Sequence, residues 1–340
     1  MEHLLRLDET CAADIDGARM KFVALLPVRD EADIIGQCLE HALQWADAIY
    51  VFDTGSADNT WEIVQALASR NKRVIPMRKK PVYFSETRLR GYMFHVARQK
   101  MCDGDWFLRV DADEFHHIPP LEFVKNCMGK HESVAYHQYY DFRLLQSEVD
   151  AWNRGEETLS DRQRPIEERR RHYTVSKYAE PRLCCYRSTM QWPPTVSFPF
   201  NAGFVGRERL PIRHYPHRDP AQLERRCRLR AIMMADEGNR ANWSRPELHH
   251  WAEREWKRFT TPDDLPDLKY WKPGTDLPPV RQTNHLKPSP IRAVQRLVHA
   301  LCLPVLDRLR PKFPTEGKPQ PIPYETVKLL EERLRVTSGA

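Results

Sequence analysis

Between residues 21 and 115, short apolar runs alternate with amphipathic stretches. Phe22–Leu26 (FVALL), Ala48–Phe52 (AIYVF), Val74–Met77 and Trp106–Val110 (WFLRV) have the length and character of buried strands. The stretches between them place apolar residues at helical spacing. Ile34, Ile35, Cys38, Leu39, Ala42 and Leu43 do so within residues 31–46, and Trp61, Val64, Leu67 and Ala68 follow Thr60. Leu89, Met93, Val96 and Ala97 do so within residues 86–101. Strands alternating with helices predict βαβ units, which means an α/β fold with a Rossmann-like, mainly parallel sheet flanked by helices.

The pattern changes after Pro119-Pro120. Residues 134–142 (VAYHQYYDF) predict an aromatic-rich strand, and residues 183–187 and 203–205 predict further strands. Residues 162–171 are charged and read as a surface loop, whereas residues 221–235 predict a helix begun by Asp219-Pro220. From Pro246 to Pro323 the chain holds 14 of its 27 prolines, which predicts an irregular extension wrapped on the core. Helices are expected there only near 291–303 and 324–335. The expected organisation is a lead-in over 1–19, a ligand-binding α/β half over 20–120, a second half of the same domain over 121–245, and the proline-rich extension over 246–340.

Charge sharpens this division. The 340-residue chain carries a net +6, and the segment from Lys287 onward holds +5 of it. A nearly neutral body argues against nucleic acid as a partner, since a nucleic-acid domain carries its cations on the folded face. The start, MEHLLRLDET, lacks the basic-then-apolar pattern of a secretory leader. The apolar run 297–306 is about half the roughly 20 residues of a membrane span. Eight cysteines without a CxxC pair read as free thiols of a reducing compartment, so the expected location is cytoplasmic. Ile291, Val294, Leu297, Val298 and Leu301, interleaved with arginines, make 289–313 a candidate for peripheral contact with an anionic membrane face.

In an open parallel sheet, ligands bind beyond the carboxyl ends of the strands. Three of the expected strands end there in carboxylates: Pro27-Val28-Arg29-Asp30-Glu31, Asp53-Thr54-Gly55-Ser56-Ala57-Asp58-Asn59-Thr60, and Asp111-Ala112-Asp113-Glu114. So much negative charge on one edge calls for compensation by a divalent cation or ligand hydroxyls. No lysine cluster at these turns offers an alternative. On this reading, replacing Asp113 by Asn relieves repulsion. The D-x-D of Asp111 and Asp113 suits a hard cation such as Mn²⁺ or Mg²⁺ with phosphate as co-ligand, provided the chain turns at Ala112. Asp58 suits helix N-capping.

The runs PVRDEADII, VFDTGSADNT and GDWFLRVDADEF resemble glycosyltransferase family 2 on a GT-A fold. The DTGS-x-D form resembles a bacterial branch associated with surface polysaccharide synthesis. The resemblance implies a nucleotide-sugar donor and a glycan or lipid-linked acceptor. It implies a nucleoside pocket lined by Pro27, Arg29 and Glu31, and a base or ribose contact from Asp53. It also implies a metal–diphosphate site on Asp111 and Asp113, with Asp113 as direct ligand. The sequence departs from the commonest family pattern at Arg29, where an aromatic residue is frequent. An inverting member needs a carboxylate base; Glu180 in YAEPR is the first candidate and Asp141 the second. His214 in RHYPHR is a candidate third metal ligand and His217 a weaker one, while His116 and His117 read as loop residues. Two other readings stay open: a sugar-nucleotide nucleotidyltransferase, disfavoured because no glycine lies between Pro27 and Ile35 to cradle a triphosphate, and an inert scaffold with a basic tail.

Overall fold

The computed structural model describes residues 20–79, 82, 88–193, 196–235 and 259–278. The first part of the chain folds as β1 (Phe22–Val28), α1 (Ile35–Ala42), β2 (Ala48–Asp53), α2 (Thr60–Arg70), β3 (Val74–Lys79), α3 (Arg88–Ala97) and β4 (Trp106–Arg109). These strands lie in the order β3-β2-β1-β4, all parallel. Alternate residues of β1 feed two cores. Ala24, Leu26 and Val28 pack with Ile35, Leu39 and Val64, whereas Val23 and Leu25 pack with Leu89, Met93 and Phe94. Burial on both faces is why these strands are continuously apolar rather than alternating.

After β4 come β5 (Glu114–His116), α4 (Pro120–Cys127), β6 (Glu132–Phe142), α5 (Gln146–Asn153), α6 (Ile166–Arg169), β7 (His172–Val175), β8 (Pro181–Cys185), β9 (Phe204–Val205), β10 (Leu210–His214), α7 (Pro220–Ala235) and β11 (Lys269–Tyr270). The sheet continues β4-β8-β6-β7-β11, each neighbour antiparallel to the last. Strand β10 runs parallel to β6 and antiparallel to β5. Only one half of the sheet is the parallel wound sheet that the early part of the chain predicts. The other half is mixed because β8 returns antiparallel along β4. That return places the start of β8 beside the end of β4.

Two expectations on local structure change. Residues 162–171 are not a surface loop: they hold the end of a 3₁₀ turn (Leu159–Gln163) and all of α6, and Arg169 and Arg170 are buried. Their guanidinium groups lie 3.0 Å from Glu157, and Arg169 also reaches Asp219 at 3.3 Å. One partner is some fifty residues away, so the stretch looks solvated when read alone. His116 is likewise a buried strand residue, packed edge-on to Trp45 at 4.9 Å and stacked with His41 at 6.4 Å. Burial pushes the His41 pKa down to about 4, with Arg213 adding to the effect. The fold therefore needs this imidazole neutral. Stability is fully present above the unfolded value of about 6.5 and falls as pH drops toward 4. Relative to wild type, His41→Phe is expected to gain about 1–2 kcal/mol between pH 7 and pH 4 in urea unfolding. A constant difference across that range would contradict the buried neutral ring.

The described part of the proline-rich extension, 259–278, lies against the core. Thr261 exchanges backbone hydrogen bonds with Leu144 and Gln146, and Trp271 N–H donates to Arg171 O at 2.8 Å. Trp271 is buried against Phe142, with Arg213 over its ring at 4.9 Å. The expected helices near 291–303 and 324–335, and the segment 289–313, lie outside the described residues. No helix among the described residues is long and apolar enough to cross a membrane.

Candidate active site

Parallel register brings the three strand ends to one edge: Val28 pairs with Asp53, and Leu25 with Arg109. The first two turns are stitched together. Ser56 Oγ accepts from Asp30 N–H at 2.9 Å, Thr60 Oγ1 from Glu31 N–H at 2.8 Å, and Asp58 Oδ2 from Ala32 N–H at 3.2 Å. Asp30 returns a bond, accepting from Ala57 N–H at 2.7 Å. These bonds hold Asp30 at φ 54°, and α1 starts only at Ile35, with Ile34 as its N-cap. The polar residues of DTGSADNT thus tie the two turns together, and Asp58 also accepts from Thr60 N–H at 3.0 Å.

Asp53 ends β2 fully buried. Its Oδ1 accepts from Gly55 N–H at 2.8 Å and Ser56 N–H at 2.6 Å, a turn that needs the positive φ of Gly55 (102°). Its Oδ2 is buried and has no hydrogen-bond partner among the described residues. Burial raises its pKa, opposed by the Ser56 and Gly55 bonds. A buried acceptor left open is costly unless a ligand donor meets it. Pro27 is buried in β1 opposite Phe52, and the Arg29 Nε lies 3.8 Å from Asp30 Oδ2.

Beyond β4 the chain turns at Ala112, with Glu114 N–H donating to Asp111 O at 3.1 Å. Cations surround both aspartates. Asp111 is met by Arg90 at 2.5 Å and Arg182 at 3.1 Å. Burial opposes ionisation of Asp111, but the two arginines outweigh it and hold the carboxyl well below the usual range. Asp113 Oδ2 faces Arg226 at 3.1 Å, His214 Nε2 at 3.7 Å and Arg218 at 3.9 Å. Against burial, these three keep it ionised. The negative charge expected to call for a divalent cation or ligand hydroxyls is thus already met in part by the protein's own cations. The compensating cations are arginines delivered by α3, β8, α7 and the turn before α7, elements far from the D-x-D in sequence.

The later candidates join this network. His214 Nδ1 lies 2.7 Å from Asp141 Oδ1, which fixes the ring with Nε2 toward Asp113. Burial disfavours the imidazolium, yet Asp113 and Asp141 push its pKa up to about 10. Asp141 also has Arg143 at 3.5 Å, so it is occupied with holding His214. Glu31 and Asp33 both bind Arg218, Asp33 at 2.5 Å, and burial raises Glu31 to about 7 against the pull of Arg218. Glu180 Oε1 lies 3.0 Å from Arg182 and 3.4 Å from Arg109, and Tyr178 donates to its other oxygen at 2.8 Å. Burial opposes these arginines, but they lower its pKa. Arg182 thus ties Glu180 to Asp111, which puts the first base candidate beside the D-x-D. Tyr139 donates to Glu114, accepts from Arg182 and stacks on His214 at 4.5 Å. Asp53 stands apart, bonded within its own turn. His217 packs against Phe259 at 5.6 Å.

Arg90, Arg182, Arg218, Arg226 and Tyr139 carry the site's electrostatics, and the sequence reading passes over them. Arg90 had a signal: it shares a helical stripe with Phe94 and Ala97, where a buried cation needs an anionic partner. Arg182 and Arg218 lie inside YAEPR and RHYPHR, segments singled out for other residues.

For a divalent cation, Asp113 Oδ2 and His214 Nε2, the latter once a cation displaces its proton, could serve as donors among the described residues. Two atoms each about 2.1 Å from one ion can be up to about 4.2 Å apart, so their 3.7 Å separation fits. Among the described residues, no group of three or more His, Cys, Asp or Glu side chains could hold an ion alone. The set is thus a partial shell of the kind Mg²⁺ or Mn²⁺ completes with water and phosphate.

The architecture is a mixed α/β sheet flanked by helices. Residues 24–178 match the family model of glycosyl transferase family 2. A search of curated proteins finds no match. Among solved structures, the chain is similar to the mannosyltransferase PcManGT from Pyrobaculum calidifontis in complex with GDP-Man and Mn²⁺. The identity is 13%, with a TM-score of 0.27, over 40% of this chain and 38% of that one. It is also similar to glucosyl-3-phosphoglycerate synthase from Mycobacterium tuberculosis in complex with Mn²⁺, UDP and phosphoglyceric acid. There the identity is 18%, with a TM-score of 0.23, over 40% of this chain and 50% of that one. The chain thus spans half or less of the length of these two structures.

Proposed function

We infer that this protein transfers a sugar from a nucleotide-diphosphate sugar to an acceptor hydroxyl, with inversion at the anomeric carbon. The observation that carries the reading is the meeting of the D-x-D turn and His214 on the edge that also holds the open Asp53 carboxylate. Asp53 Oδ2 accepts a hydrogen from the base or ribose of the donor, beside a nucleoside pocket formed by Pro27, Arg29 and Glu31. Asp113 and His214, the latter after giving up its Nε2 proton, would hold a Mn²⁺ or Mg²⁺ ion, which would supply positive charge for the departing nucleoside diphosphate. Asp141 keeps His214 in the tautomer that presents Nε2. Arg90 and Arg182 keep Asp111 ionised and fixed. Glu180 accepts the acceptor's hydroxyl proton as that oxygen bonds to the anomeric carbon and the carbon–diphosphate bond breaks. Asp141 is the alternative base, less suited because His214 and Arg143 already engage it.

The acceptor class consistent with the family resemblance is a glycan or lipid-linked glycan of surface polysaccharide or glycoconjugate synthesis. A cytoplasmic enzyme touching the inner membrane face through 289–313 would reach it. The test is a panel of UDP- and GDP-sugars with Mn²⁺ or Mg²⁺, monitoring release of nucleoside diphosphate. Release from one donor, abolished by EDTA, is expected; no release from any donor would overturn the reading.

Asp53→Ala is expected to weaken nucleoside diphosphate binding by about 1–3 kcal/mol, the cost of leaving a ligand donor unmet. Calorimetry showing unchanged affinity in folded Asp53→Ala protein would remove Asp53 from the site.

A further inference from the structure

Three cations face the same oxygen of Asp113, and they differ in how firmly they are held. Arg218 is fully buried and bound to Glu31, Asp33 and the Tyr215 carbonyl. His214 is fixed by Asp141. Arg226, on the second turn of α7, is 22% exposed, and among the described residues its hydrogen bonds run from one atom, NH1, to Asp113 Oδ2 at 3.1 Å and Pro216 O at 2.7 Å. A guanidinium and a divalent cation cannot both bind that oxygen closely without strong repulsion. The planar fork of a displaced guanidinium matches phosphate oxygens, and the donor diphosphate is the anion expected beside Asp113.

Resting on the proposed donor site, we propose that Arg226 is an exchangeable gate on Asp113. In the donor-free protein it neutralises the carboxylate and competes with the divalent cation. When nucleotide and cation enter together, it leaves Asp113 and binds the diphosphate. Cation binding without nucleotide is therefore weak, and nucleotide and cation reinforce one another's binding. Arg218 and His214 stay in place throughout.

The test is Mn²⁺ binding followed by electron paramagnetic resonance of the free ion, on wild type, Arg226→Met and Arg226→Lys. Without nucleotide, Arg226→Met should bind Mn²⁺ at least about tenfold more tightly than wild type, because the competitor is gone. With Mn²⁺ present, the same variant should bind UDP or GDP at least about tenfold more weakly, having lost a phosphate ligand. Arg226→Lys retains the charge and should keep Mn²⁺ binding near wild type, which guards against a fold defect in the Met variant. Unchanged or weaker Mn²⁺ binding by folded Arg226→Met overturns the gate, even where nucleotide still promotes Mn²⁺ binding and the donor-site reading stands. Absence of Mn²⁺ binding in wild type with either nucleotide overturns the metal reading and the gate together.

Discussion

Asp113→Asn should lower turnover at least about a hundredfold, since charge stabilisation of a leaving group is commonly worth several kcal/mol. The substitution removes the carboxylate that points at His214 Nε2, and with it half of the proposed donor pair for a cation. EDTA should lower wild-type turnover to a similar degree, and its addition to the variant should change little further. The sequence alone suggests that this change relieves repulsion; the structure reverses the sign. Asp113 sits among Arg226, Arg218 and His214, and neutralising it leaves those cations less compensated. The variant should therefore be less stable than wild type while still folded. Full turnover in Asp113→Asn protein would take the D-x-D out of the chemistry.

Arg218→Met should destabilise the fold by about 3–5 kcal/mol, the usual consequence of removing one partner from a buried ion cluster. Arg218 is fully buried and contacts Glu31, Asp33 and Asp113. Without it, three carboxylates with little solvent access face each other. Arg218→Lys should recover only part of the loss, because an ammonium cannot reproduce the fork that spans Asp33 and Glu31. Urea unfolding measures the effect; a loss below about 1 kcal/mol in Arg218→Met would mean the cluster is not a structural keystone.

The parallel half of the fold was legible because its strands are buried on both faces and its helices carry regular apolar stripes. The carboxylate-ended turns were legible for a related reason: a polar run after a buried strand can only lie at the sheet edge. The counterions were not. Arg90, Arg182, Arg218 and Arg226 look like ordinary surface arginines in sequence, because their partners are roughly 20 to 190 residues away. The same blindness made residues 162–171 look solvated. Mixed strand order is also invisible to local pattern, since β8 reads identically whether it runs parallel or antiparallel to β4. Glu180 was named in YAEPR only as the first candidate for a base, and its link to Asp111 runs through Arg182 and exists only in three dimensions.

The central claim is that this edge of the sheet binds a nucleoside diphosphate together with a divalent cation held by Asp113. Calorimetric titration of UDP and GDP into wild-type protein, with Mn²⁺ and with EDTA, tests it most directly. One nucleotide should bind at least about tenfold more tightly with Mn²⁺, and Asp113→Asn should abolish that difference. Equal affinity with and without Mn²⁺ in the wild-type protein, or a Mn²⁺ effect that survives Asp113→Asn, would contradict the account.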